Sequence, residues 1–214
     1  MKQNYTDITI ILDRSGSMAT IAADTMGGLN TFIKDQRETP GEATFTLVQF
    51  DDIDPYEVMV NHTNMKDVKD ITNFTPRGNT PLLDAIGKGI VKTGEKLAAM
   101  AEENRPEKVI FVIITDGAEN SSREYSKAQI KDLITKQTNE FKWEFVFLAA
   151  NQDAIQVGAG LGVGASNSMT YAANTVAVGA TFSALSNNTR SYRGGSQSTM
   201  GVTEEQRLQS MVSK

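Results

Sequence analysis

The chain contains no cysteine and only one histidine among its 214 residues. Disulfide bonds and thiolate metal sites are therefore excluded, and His62 alone cannot form a zinc site. Cationic clusters are also missing, since no block of Lys or Arg occurs and the formal net charge is −5. Because nonspecific nucleic-acid binding depends on a basic surface, no nucleic-acid partner is expected. We interpret His62 as a surface residue on an edge strand.

Long apolar segments are absent as well. No run approaches the ~18 consecutive apolar residues that a transmembrane helix requires, so no membrane partner is expected. Residues 1–7 lack the apolar core of a signal peptide, which favours a cytoplasmic protein. With 39% hydrophobic residues, the chain is long enough to form one domain with a substantial core.

Apolar runs and amphipathic segments alternate along the chain. Strands are predicted at residues 7–13, 43–51, 56–61, 107–115, 142–150 and 168–171. Helices are predicted at residues 21–37, 66–73, 81–104, 125–139, 152–161 and 173–188. This alternation is typical of a doubly wound α/β fold, with a mostly parallel central sheet, one antiparallel edge strand and helices on both faces.

The composition changes near the end of the chain. Residues 1–190 are predicted to form the α/β domain, and residues 191–214 a Gly/Ser-rich C-terminal tail. Within the tail, Thr203-Glu204-Glu205-Gln206 resembles a capping box, which predicts a short helix. The tail either docks on another surface or acts as a linker.

Polar residues follow two of the predicted strands. Asp13-Arg14-Ser15-Gly16-Ser17 comes directly after a buried strand, and Asp116-Gly117 follows a second one. Gly78-Asn79-Thr80-Pro81 forms a turn with a further hydroxyl. Ligands of doubly wound sheets bind at the carboxyl ends of strands. Carboxylate and hydroxyl oxygens are the donors that Mg2+ and Mn2+ prefer, so the pattern predicts a site for such a cation.

These three motifs, in this order, resemble the metal-ion-dependent adhesion site (MIDAS) of the von Willebrand factor A (vWA) family, which has a Rossmann-like fold. The resemblance covers residues 5 to about 190, and the chain is similar to small stand-alone members of this family from bacteria and phages. It implies an intact site with five metal-binding residues: Asp13, Ser15, Ser17, Thr80 and Asp116. Arg14 fills a variable position of the pattern. Asn79 departs from the pattern, since it stands where Gly is frequent.

The resemblance also implies individual roles in the site. The two serines would ligate the cation directly, Thr80 directly or through a water, and the two aspartates mainly through waters. With few direct anionic ligands, Mg2+ at such a site stays under-neutralised and accepts a Glu or Asp of a partner protein. Mn2+ is expected to substitute for Mg2+.

The function implied by the resemblance is a non-enzymatic, Mg2+-dependent protein-binding module. Some members of the family act beside AAA+ ATPases, which makes such a system a candidate partner. Two alternatives remain open. One is a structural or assembly protein that forms homo-oligomers. The other is a metal-dependent hydrolase, although the sequence offers no nucleophile with an adjacent base and no P-loop.

Further acidic residues lie near the metal motifs. Asp51, Asp52 and Asp54 cluster on a predicted hairpin at the same end of the sheet. They would tune the charge seen by a partner or hold a second ion, but a solvated turn is the simpler interpretation. Asp84 and Glu119 flank the site loops and are predicted to accept hydrogen bonds behind the metal ligands.

Overall fold

The computed structural model describes residues 1–150 and 152–212, and this part of the chain contains six strands and six α-helices. The strands are β1 (Lys2–Asp13), β2 (Glu42–Phe50), β3 (Glu57–Asn64), β4 (Pro106–Thr115), β5 (Glu144–Ala150) and β6 (Ser168–Tyr171). The helices are α1 (Ala22–Glu38), α2 (Leu82–Ala99), α3 (Lys127–Phe141), α4 (Ala154–Leu161), α5 (Thr175–Arg193) and α6 (Glu204–Ser210). Four short 3-10 helices, the first at Gly16–Ile21, complete the described elements.

The strands form one sheet in the order β3-β2-β1-β4-β5-β6. All neighbouring strands are parallel except the edge pair β2 and β3, which is antiparallel. This confirms the predicted doubly wound fold with one antiparallel edge strand. Within the described residues, no helix combines the length and apolar composition needed to cross a bilayer.

The central strand β1 is apolar on both faces because helices cover both sides of the sheet. Ile8, Ile10 and Leu12 belong to the core on the side of α1 and α5, whereas Ile11 belongs to the core on the side of α2 and α3. Leu12 is in register with Ile114 of β4. The residues that follow these two strands therefore emerge side by side at one edge of the sheet.

Two of the predicted helices are shorter in the structure. Only Met65–Asp67 of the region around residues 66–73 is helical, as a 3-10 turn. The amide of Asn30 draws the following segment away from helical geometry, because it binds both the N–H and the C=O of Ile71, at 2.8 and 3.0 Å. Helix α2 ends at Ala99 rather than near residue 104, and Arg105 binds the carbonyl oxygens at its end.

The C-terminal segment lies along the outer edge of β6. Ala172 N–H donates to Ser210 O at 2.9 Å, and Ser210 Oγ donates to Thr170 O at 2.8 Å. The predicted capping box is present, since the Thr203 and Gln206 side chains each accept from the other residue's backbone N–H. Helix α5 continues across residue 190 to Arg193. The division into a domain and a tail stays a prediction.

His62 lies on the edge strand β3, as predicted, and it is partly buried there and bonded to a core residue. Its side chain is only 24% exposed, and its Nδ1 lies 2.9 Å from Oδ1 of the fully buried Asp7. Thr44 also donates to this Asp7 oxygen, at 2.7 Å. Asp7 therefore needs His62 as a hydrogen-bonding partner, because a buried carboxylate without partners is costly.

Candidate metal centre

The five predicted metal-binding residues come together at the carboxyl ends of β1 and β4. Ser17 Oγ donates to Asp116 Oδ1 at 2.6 Å, and the Oγ atoms of Ser15 and Ser17 are 3.1 Å apart. The 3-10 helix that begins at Gly16 curls the loop after β1 towards the turn before α2, and Gly16 N–H donates to Gly78 O at 3.1 Å. The first and second motifs are thus joined through their backbones.

Three hydroxyl groups converge on the face of Gly117. A Cβ atom placed on this glycine would lie 3.3 Å from Ser17 Oγ, 3.3 Å from Thr80 Oγ1 and 4.0 Å from Ser15 Oγ. The space in front of Gly117 is therefore lined by oxygen atoms and has no room for a methyl group without displacing them. Together with Asp13 and Asp116, these hydroxyls form an all-oxygen donor set that fits Mg2+ or Mn2+.

Asp13 is held rigidly beneath this space. The carboxylate is fully buried, its Oδ1 accepts from Ser15 N–H at 2.7 Å, and its Oδ2 accepts from Thr115 Oγ1 at 2.6 Å. Burial raises the pKa of Asp13 to about 6, against the opposing hydrogen bonds from Thr115 and Ser15, and Asp116 raises it further. The ionised carboxylate is thus unfavourable in the metal-free protein, and a nearby cation would stabilise it.

Asp116 is a second buried carboxylate, since only 5% of this residue is exposed. Burial raises the pKa of its carboxyl, although the hydrogen bond from Ser17 lowers it. Tyr171 of β6 lies beneath both carboxylates and donates to Thr115 O at 3.3 Å. Burial, together with the charges of Asp116 and Asp13, raises the pKa of Tyr171 far above its usual value, so its hydroxyl stays protonated.

Sequence reasoning missed Thr115 and Tyr171 as residues that support the site. Thr115 could have been found, because it directly precedes Asp116 on a strand and its hydroxyl lies opposite the end of β1. Its Oγ1 binds Asp13 and also accepts from Gly117 N–H at 3.2 Å. No local signal marks Tyr171, since it is the last residue of a short strand far along the chain.

The turn that carries Thr80 is fixed from both sides. Asn120 accepts from Thr80 N–H through its Oδ1 at 2.8 Å and donates its own N–H to Thr80 O at 3.2 Å. The carboxylate of Asp52 accepts from the backbone N–H of Asn79 at 2.8 Å and from its side-chain Nδ2 at 2.6 Å. Gly78 has a φ of +66°, and a Cβ there would lie 2.0 Å from Asp52 Oδ1, so glycine is required. Asn79 therefore has a structural reason to replace the frequent glycine.

Asp51 is fully buried, so the interpretation of the 51–54 cluster as a solvated turn is wrong for this residue. Its Oδ1 accepts from the backbone N–H groups of Ile53 and Asp54, at 2.8 and 2.7 Å. Its Oδ2 accepts from Arg14 Nε at 2.8 Å and from Arg77 Nε at 2.9 Å. Burial raises the pKa of Asp51, but these hydrogen bonds outweigh it and the net pKa is lowered.

Arg14 occupies the variable position of the first motif and is 4% exposed. Besides Asp51 it pairs with Glu57 at the start of β3, and its Nη1 donates to Gln49 Oε1 at 3.3 Å. Its backbone carbonyl accepts from Arg77 N–H at 2.9 Å. Arg14 therefore ties the loop after β1 to the β2–β3 hairpin and to the turn before Thr80.

Asp84 and Glu119 accept hydrogen bonds behind the ligands, as expected. Asp84 accepts from the backbone N–H groups of three consecutive residues, 123–125, at 2.8 to 2.9 Å. Glu119 accepts from Leu83 N–H at 2.9 Å. These contacts fasten the loop after β4 to the first turn of α2, which keeps Asp116 and Thr80 close together.

Comparison of sequences identifies the family. The model of the von Willebrand factor type A domain matches residues 7–156, which is more than half of the chain. The protein therefore belongs to the vWA family. No curated protein matches its sequence.

Solved structures share the fold at low sequence identity. Proximal thread matrix protein 1 from the mussel byssus has a TM-score of 0.58 and 15% identity, over 89% of this chain and 47% of that one. A structure of the mussel protein with a zinc-occupied MIDAS motif has a TM-score of 0.56 and 16% identity, over 92% and 47%. A vWA protein from Catenulispora acidiphila has a TM-score of 0.55 and 12% identity, over 88% and 43%. The chain thus spans about half the length of the structures that it resembles.

Proposed function

We propose that the chain is a non-enzymatic, Mg2+-dependent protein-binding module that recognises a Glu or Asp of a partner protein. The observation that carries this proposal is the convergence of three hydroxyls on Gly117, between two buried carboxylates. Membership of the vWA family supports it. The residues that would hold the cation are Asp13, Ser15, Ser17, Thr80 and Asp116.

The donor set favours Mg2+ or Mn2+ over other cations. It contains only oxygen atoms, and among residues 1–150 and 152–212 no group of three or more His, Cys, Asp or Glu side chains is placed to bind a metal. Ca2+ fits less well, because it takes longer bonds and more ligands. The zinc in the mussel protein is consistent with a divalent cation at a site of this type.

Binding explains the site better than catalysis does. Asp13 and Asp116 are both committed to hydrogen bonds with neighbouring hydroxyls, and Tyr171 is a buried donor to a backbone carbonyl. His62, the single histidine, binds Asp7 on the edge-strand side of the sheet. A bound divalent cation would supply a centre of positive charge, and two carboxylates with three neutral hydroxyls leave it able to accept one more carboxylate.

The identity of the partner stays a proposal. An AAA+ ATPase system is a candidate partner. A cytoplasmic location and a bacterial or phage origin are proposed as well.

A second function, homo-oligomeric assembly, is favoured by exposed apolar residues on α6 and just after it. Leu208 is 65% exposed, Met211 52% and Val212 45%. Light scattering with and without EDTA would separate the two functions, since assembly through this patch should not need the metal.

Gly117→Ala provides the sharpest test of the metal site. The added methyl group would contact Ser17 Oγ and Thr80 Oγ1, yet all five proposed ligand side chains would remain. Because these two oxygens must move by a few tenths of an ångström, we expect calorimetric titration to show weaker Mg2+ and Mn2+ binding while thermal unfolding shows a folded protein. Gly27→Ala is the matched control, because a Cβ at that helical position meets nothing within 4 Å.

The partner is tested with the same pair of variants. Proteins captured by the wild-type chain in its host should be released by EDTA and recovered with Mg2+ or Mn2+. They should be captured equally by the Gly27→Ala variant and less by the Gly117→Ala variant. Replacing one acidic residue of a captured partner with Ala should abolish binding. Equal capture in EDTA would show that another surface recognises the partner.

A further inference from the structure

A cavity of about 270 Å3 lies at the end of the sheet opposite the metal site. Helices α1 and α5 both end beside it, β2 begins there, and the antiparallel β3 ends there. Its lining includes three cationic side chains: Arg37, Lys66 and Arg193.

Arg193 is a buried cation that has only neutral partners among the described residues. It is 5% exposed, and its Nη1 donates to Gln36 O at 2.9 Å and to Gln36 Oε1 at 3.0 Å. Its Nη2 donates to the carbonyl oxygens of Thr39 and Gly41, at 3.5 and 3.3 Å. Burial lowers the pKa of Arg193 to about 10. No carboxylate in the described chain forms an ion pair with it, so an external anion would stabilise its charge.

The other two cations supply donors that the fold leaves free. Arg37 pairs with Asp70 through Nη2 at 2.7 Å, and its Nη1 forms no hydrogen bond within the described residues, whereas its Nε is buried and out of reach of a ligand. Lys66 is exposed at the cavity wall and forms no ion pair with residues 1–150 or 152–212. Glu42 is the one carboxylate among the described lining residues, and it pairs with Lys2 at 2.5 Å. The cavity is therefore locally positive in a protein with a net charge of −5.

We propose that this cavity binds a phosphate group, either as inorganic phosphate or as a small phosphate monoester. A phosphate carries up to two negative charges near neutral pH and accepts several hydrogen bonds, which matches a guanidinium donor, an ammonium donor and a buried positive charge. Arg37 Nη1 and Lys66 Nζ donate to the phosphate oxygens. Arg193 acts through its charge, because its four Nη donors are already occupied by Gln36, Thr39 and Gly41.

Calorimetric titration of the metal-free protein tests this site at low ionic strength. Removal of divalent cations prevents phosphate from binding at the metal centre. The two arms use inorganic phosphate and glycerol 3-phosphate. If inorganic phosphate and glycerol 3-phosphate both bind saturably with equal affinity, the phosphate group alone is sufficient for binding. If glycerol 3-phosphate binds more tightly, the ligand is an organic phosphate. Saturation of neither ligand overturns the proposal.

Variants locate the binding. The double variant Arg37→Gln/Lys66→Gln should bind phosphate at least about tenfold more weakly, since charge-assisted hydrogen bonds are lost. The matched control Lys34→Gln/Lys69→Gln removes the same charge from exposed residues outside the cavity and should keep the wild-type affinity. Unchanged affinity in the first variant, or an equal loss in the second, would overturn the assignment.

Two further variants separate the cavity from other effects. Asp70→Asn releases Arg37 from its carboxylate and should tighten phosphate binding a few-fold, which a purely structural role of Arg37 would not produce. Gly117→Ala, which is expected to weaken the metal site, should leave phosphate binding unchanged. Arg193 is left intact because it holds the end of α1, and thermal unfolding checks that each variant is folded.

Discussion

Asp13→Asn should stabilise the metal-free protein while it destroys metal binding. Asparagine fits the hydrogen bonds at this position. Its Oδ1 can accept from Ser15 N–H, and its amide can donate to Thr115 Oγ1, whose hydrogen can turn to Gly117 O at 3.1 Å. The substitution therefore removes a buried charge, and the cost of leaving the second amide N–H without an acceptor offsets part of the gain.

The magnitude follows from the pKa of Asp13. Burial raises this pKa from 3.8 to about 6 in the folded protein. The folded state thus binds the proton more tightly than the unfolded state, and stability falls as pH rises between these two values. A shift of about two units corresponds to about 3 kcal/mol of lost stability above pH 6. Because charge-assisted hydrogen bonds are also lost in the variant, we expect a net gain of about 1–3 kcal/mol.

Urea denaturation in EDTA measures the effect. At pH 7.5 the variant should have the higher midpoint with an unchanged slope, and at pH 4.5 the difference should shrink below about 1 kcal/mol. Saturating Mg2+ should stabilise only the wild type, by about 2.7 kcal/mol at a hundredfold excess over Kd. Asp7→Asn is the control, because Asp7 accepts from Thr44 and pairs with His62, and its loss should destabilise. An Asp13→Asn variant that is less stable than wild type at pH 7.5 would refute the reasoning.

Three other perturbations address the network, the partner and the tail. Arg14→Met leaves the buried Asp51 with one fewer cation and should lower the free energy of unfolding by about 3 kcal/mol, so an unchanged urea midpoint would contradict the network. Thr80→Ala should weaken partner binding more than Mg2+ binding, since both serines of the site remain; calorimetry and capture assays would show an equal loss if this is wrong. Deleting residues 196–214 removes α6 and the buried Met200, so the unfolding midpoint should fall and aggregation should increase. Mg2+ affinity should persist, because every proposed ligand lies earlier in the chain. A lost Mg2+ affinity in the folded truncation would contradict this independence.

The alternating pattern was sufficient to predict the fold. The runs around Ile8–Leu12 and Ile110–Ile114 have no polar interruption except Thr9, which is typical of strands buried on both faces. Because such strands are parallel neighbours, the polar residues after them had to meet at one edge. The proximity of the five proposed ligands was therefore predictable from motif order, although their role in metal binding stays a prediction.

Long-range contacts explain the features that were not predictable. The hairpin around Asp51 has the composition of a solvated turn, and its burial depends on Arg14 and Arg77, which lie 37 and 26 positions away in the chain. The segment after Asp67 has helical periodicity, but the amide of Asn30 binds its backbone instead, 41 positions away. In both cases a side chain from another element decides the local structure, and no sequence window of ordinary length contains it.

The docking of α6 on β6 has a consequence for how copies of the protein can associate. A sheet with a free edge can be extended by a strand from another molecule. At one edge Ala172 N–H and Thr170 O are already bonded to Ser210. At the other edge β3 shifts register twice against β2, and His62 adopts a φ of +45°, so its backbone does not offer a regular ladder. Both edges are therefore poorly suited to strand addition, which favours side-chain contacts over sheet extension as the way in which a homo-oligomer would form.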